Sequence, residues 1–84
     1  MSISSAQLRA ARALLRWSAL DLAKASKVGV ATIRRVEIIE GKIPVTVANE
    51  AALRAALESA GVEFIDENGG GPGVRLRKPT KQKR

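Results

Sequence analysis

The sequence predicts a mainly α fold: four short helices with a central helix-turn-helix, followed by a C-terminal β-hairpin and a disordered basic tail. Three observations predict it. Apolar residues recur at helical spacing up to about Ala60 and switch to alternation after Gly61. Ser, Thr and Gly stand where helices must start or stop. The only aromatic residues are Trp17 and Phe64, so Ala, Leu, Val and Ile must build the core, which favours closely packed helices.

The elements follow in order. Ser4 reads as an N-cap, with Gln7 reaching back from three residues on, and the first helix runs to about Arg16. Leu8, Ala11 and Leu15 make its buried face. Arg9, Arg12 and Arg16 form a second, basic stripe, readable either as a solvated face or as a polyanion contact. Ser18 caps a second helix to about Ala25, and Asp21 at its third position answers the cap and suits the helix dipole. Ser26 to Gly29 is a turn, and Gly29 suits the N-cap of a third helix ending near Ile38. Trp17 is expected to pack in the core or at the helix junction. After a connector at 40–44, a fourth helix spans about Thr46 to Ala60, with Leu53 and Leu57 inward and Gly61 ending it in a left-handed conformation. Val62–Ile65 and Val74–Arg77 alternate like strands around a turn-rich loop, as a hairpin would. The expected organisation is a helical unit at 1–61, the hairpin at 62–77 and the tail at 78–84.

Composition excludes several function classes. The chain has 84 residues, enough for one small domain with a thin core. It has no Cys and no His, which removes disulfides, thiolate metal sites, the commonest metal ligand and the commonest general base. No apolar run approaches the roughly 18 residues of a membrane span, and the N-terminus lacks a signal-peptide pattern. The carboxylates, among them Glu37 and Glu40, have no spacing that pairs them with a nucleophile. The expectation is a cytoplasmic, cofactor-free protein that is not an enzyme and does not enter membranes. Charge is unevenly placed. Residues 1–42 carry eight Lys/Arg against three acids, 43–73 carry Arg54 against five acids, and 74–84 carry six Lys/Arg and no acid. A basic first half suits a polyanion partner. The tail reads either as a non-specific nucleic-acid arm or as a solubilising end.

Segment 19–38 has the spacing of a helix-turn-helix. Leu22, Val28, Ile33 and Val36 are apolar where two short helices must pack on each other, Ala23 is small where they approach, and the turn is about three residues. The string from Trp17-Ser18 through Asp21-Leu22-Ala23, Ala25-Ser26, Val28 and Ala31-Thr32-Ile33-Arg34-Arg35-Val36-Glu37 resembles the XRE/Cro–repressor-like, or lambda-repressor-like, family. Gly61-Val62-Glu63-Phe64-Ile65-Asp66 and Gly70-Gly71-Pro72-Gly73-Val74 are also similar to an ending found in small bacterial members. The resemblance covers about residues 6–77.

That resemblance implies a homodimeric regulator, a repressor or controller, binding double-stranded DNA at a pseudo-palindromic operator. It implies a third helix in the major groove, with Val30, Ala31, Thr32, Arg34 and Arg35 at the reading positions. Arg34 and Arg35 lie about 100° apart, so Arg35 is expected on a base edge and Arg34 on a phosphate. Thr32 would meet a phosphate or a thymine methyl. Backbone N–H groups at Ser18 and Ala19 suit a phosphate, and Lys27 and Lys42 would flank the groove. Candidate partner-contact residues for the dimer are Leu57, Val62, Phe64, Val74 and Leu76. The chain departs from the family pattern at Ala19, Lys27, Gly29 and Val30, where Gln, Gly, Ser or Thr, and a polar residue are usual. A left-handed Lys27 would cost on the order of 1 kcal/mol. The alternative reading is a protein-interaction module on the same fold, such as an antitoxin or antiactivator, motivated by Val30, Ala31 and the acidic second half.

Overall fold

The computed structural model describes residues 2–77. The basic tail expected at 78–84 lies outside the described residues. Four helices and a two-stranded antiparallel hairpin follow one another: α1 (Ser5–Leu15), α2 (Ala19–Ser26), α3 (Val30–Glu37), α4 (Val47–Ser59), β1 (Val62–Ile65) and β2 (Gly73–Leu76).

The helix ends have local chemical causes. At α1, the Gln7 N–H donates to Ser4 Oγ at 3.0 Å and the Ser4 N–H donates to Gln7 Oε1 at 2.9 Å, a reciprocal capping box. Ser18 and Asp21 repeat the device at α2, at 3.0 and 2.9 Å. Those bonds hold the Asp21 carboxyl below its usual range. The Asn49 N–H donates to Thr46 Oγ1 at the start of α4. Helix α3 starts at Gly29 without a side-chain cap. Two helices end on left-handed residues that are not glycine, Arg16 at φ 59° and Lys27 at φ 67°. Gly61, at φ 110°, turns the chain from α4 into β1.

A single apolar cluster joins all the elements. Leu8 and Ala11 of α1, Leu22 of α2, Ile33 and Val36 of α3, Leu53 and Leu57 of α4, and Val62 and Phe64 of β1 are buried together. Leu15 and Trp17 are only partly buried and pack against this cluster. Hairpin and helices therefore share one core: β1 lies against α4, and β2 against α1. Strand register pairs Val62 with Leu76 and Phe64 with Val74. Gln7, buried within the fold, also donates from Nε2 to Ile65 O at 3.3 Å and Gly73 O at 3.0 Å. One side chain thus caps α1 and holds both strands of the hairpin at its loop end.

Ile3 and Ile43 extend the core beyond the periodic segments. The Ser5 N–H donates to Gly41 O and the Ile43 N–H to Ile3 O, so the N-terminal residues pair with the connector between α3 and α4. Three of the five expected partner-contact residues lie in the chain's own core. Leu57 and Val62 are fully buried in the chain's own core, and Phe64 is nearly so beneath the Arg54 guanidinium, 5.0 Å from its ring centre. Of the five residues, only Val74 and Leu76 keep appreciable surface, both on β2.

Candidate nucleic-acid interface

Helices α2 and α3 are eight residues each and are joined by Lys27, Val28 and Gly29. Val28 is buried at this junction, and its N–H donates to Ser26 Oγ at 3.2 Å. Leu22, Ile33 and Val36 bury the inner sides of both helices. Burying them fixes which side of α3 faces water: Ala31, Arg34 and Arg35 are exposed, while Val30 and Thr32 are half-buried at its edges. Neither the Arg34 nor the Arg35 side chain has a hydrogen bond or ion pair with another described residue.

The far end of α3 is clamped by the stripe of α1. Arg12 grips the Glu37 carboxylate in a fork, Nε to Oε2 at 2.8 Å and an Nη to Oε1 at 2.7 Å. Its remaining Nη donates to Trp17 O at 2.7 Å. Arg9 donates to the Glu37 carbonyl at 2.6 Å and to Ser5 Oγ at 2.9 Å. The first contact places a guanidinium on an otherwise unpaired C-terminal carbonyl, where the helix dipole favours a cation. The bond to Glu37 also raises the Arg12 pKa. Of the three arginines, Arg9 and Arg12 hold α3 against α1; Arg16, at the left-handed end of α1, is exposed. Sequence reasoning missed this clamp. Its one signal was Glu37, an acid inside the basic half of the chain.

The remaining predicted residues are distributed around this unit. Ser18 is exposed as the N-cap of α2, with Ala19 half-buried beside it. Lys27 is exposed on the turn. Lys42 belongs to the connector and lines a groove of about 540 Å³ with Asp66 and Glu67 of the hairpin loop. Ile38, which sequence reasoning used only to end the helix, is 82% exposed directly after α3. Among the described residues no group of three or more His, Cys, Asp or Glu could hold a metal ion, and no helix is long and apolar enough to cross a membrane. No protein-family model and no curated protein matches the chain.

Proposed function

We propose that the chain is a sequence-specific DNA-binding regulator that uses α2 and α3 as a helix-turn-helix and binds a pseudo-palindromic operator as a homodimer. One observation carries the reading: α3 is packed on its inner side, clamped at its end, and outwardly presents two arginines with no protein partner among the described residues. A rigid helix with free guanidinium groups suits the major groove, where Arg makes bidentate contacts to guanine. In this reading Arg35 meets a base edge and Arg34 a phosphate, with Lys27, Thr32 and the Ala19 N–H on the backbone; the Ser18 N–H is already held by the Asp21 carboxylate. Val30 and Ala31 let the helix approach closely, and Lys42 is the weakest member of the set because Asp66 and Glu67 share its groove.

The homodimer draws support from size. Two recognition helices on one face of B-DNA lie about 34 Å apart. The chain measures 40 × 33 × 21 Å, so a two-fold axis near the edge of the molecule, about half of that spacing from α3, is compatible with two copies on successive grooves. Of the hairpin residues expected at that contact, Val74 and Leu76 keep surface for it. Repression, as distinct from DNA binding, rests on the family resemblance.

The test is selection from a randomised duplex library, followed by anisotropy titration of the enriched duplex across salt concentrations. One duplex should be enriched and bound far more tightly than a scrambled one, with affinity falling steeply as salt rises. Arg35→Ala should weaken binding by about 1–3 kcal/mol and relax selection at one base pair. No enrichment and no binding at low salt would refute the reading and favour the protein-interaction module.

A further inference from the structure

We infer that Ile38 and Ala31 form an apolar ridge that reads thymine 5-methyl groups on the floor of the major groove. The inference rests on the DNA-binding reading above and adds what kind of base the helix selects.

The ridge follows from the geometry of α3. Ala31 and Ile38 are seven residues apart, which returns them to within about 20° of each other around the helix axis. Both are exposed, on the side opposite buried Ile33 and Val36. Arg34 lies about 60° to one side of this line and Arg35 about 40° to the other. The outward face is therefore an apolar line with a guanidinium on each flank. Such a face suits a groove with apolar features on its floor beside the base edge that Arg35 meets, and an anionic wall on the side of Arg34. The floor of the major groove offers a single apolar group, the thymine methyl, and its walls are phosphates.

Ile38 itself needs a partner. It is 82% exposed, among the most exposed large apolar side chains of the described residues, at the end of a helix whose large apolar residues Ile33 and Val36 are buried. Burying it against a methyl-bearing surface is favourable, whereas in the free protein it orders water. Its distance from Ala31 along the axis is about 10 Å, or about three base-pair steps, if the helix lies lengthwise in the groove. Charge complementarity, through the two flanking arginines, favours a nucleic acid over a protein as the occupant of this face.

The experiment uses the duplex enriched from the randomised library, resynthesised with deoxyuridine at each thymidine in turn. Deoxyuridine lacks only the 5-methyl group, so backbone and pairing are kept. Wild-type protein should lose about fourfold in affinity at each contacted thymine, the worth of one buried methyl. In Ile38→Ala, one of those sensitive positions should become indifferent to the methyl, while the others stay sensitive. The substituted side chain is exposed, so the variant's melting curve should match wild type. Uniform indifference to deoxyuridine in wild type overturns the inference while leaving DNA binding intact. So does Ile38→Ala that keeps every sensitivity, including the case in which it changes only the mass seen by sedimentation, which would place Ile38 in a protein contact. Failure of the library to enrich any duplex overturns the DNA-binding reading as well.

Discussion

Glu37→Gln should destabilise the protein far more than a single surface charge change would. Glu37 is only 8% exposed, and both its carboxylate oxygens accept from a guanidinium that is itself 23% exposed. The amide keeps one acceptor and turns an NH2 group towards a donor, leaving Arg12 partly buried without its counter-charge. Breaking a buried pair in this way costs about 3–5 kcal/mol, and the residual exposure of Arg12 lowers the expectation to about 2–4 kcal/mol. A domain of this size has about 4–12 kcal/mol in total, so the loss is a large fraction. It corresponds to a fall in Tm of roughly 10–30 °C. Urea unfolding followed by Trp17 fluorescence provides the assay, because the Trp17 carbonyl accepts from the same guanidinium. The paired change Arg12→Met with Glu37→Leu should recover most of the loss, since an apolar pair removes the stranded charge. A cost below about 1 kcal/mol for Glu37→Gln would refute the account, because that is the range of exposed pairs.

Three further outcomes follow from other contacts. Gln7→Ala removes the donor to Ile65 O and Gly73 O and half of the capping box, and should cost about 2–3 kcal/mol; amide exchange at Val62–Leu76 should rise before exchange within α2 and α3. Lys27→Gly relieves a left-handed lysine and should stabilise by about 0.5–1 kcal/mol in urea titration, while lowering the salt dependence of DNA binding by about one counter-ion. Asp21 and Glu63 have folded pKa values held below their ordinary ones, chiefly by hydrogen bonds with Ser18 and Arg75. A depressed carboxyl stabilises the fold above its unfolded pKa and loses that contribution as pH falls through the folded value. Stability from these groups should therefore be level above roughly pH 4 and decline below it, and the double variant Asp21→Asn, Glu63→Gln should show a shallower decline in unfolding midpoint.

Much of the architecture was legible locally. Capping pairs such as Ser4 with Gln7 and Ser18 with Asp21 act over three residues, so the chain itself announces where α1 and α2 begin. Leu8, Leu22, Ile33, Leu53 and Leu57 fall inward because helical period alone assigns them to one face. The alternation of Val62 with Phe64 announced the hairpin in the same way. Ile3 and Ile43 escaped notice because they sit outside any periodic segment and are buried by pairing with each other across the fold.

The arginine stripe divides what sequence determines from what it leaves open. Sequence placed Arg9 and Arg12 on one side of α1 but could not say what that side faces, since a guanidinium reads alike whether it meets water, phosphate or Glu37. Packing α1 against α3 decided it, bringing Arg12 within 2.7 Å of a carboxylate 25 residues away. The partner-contact set has the same limit. Apolar character marked Leu57, Val62 and Leu76 alike, and only the position of the hairpin against α4 and α1 determined that the first two are core and the third faces outward. Local propensity and period fix the elements and their inward faces; which polar groups meet, and which apolar groups stay at the surface, depends on long-range packing that no segment encodes alone.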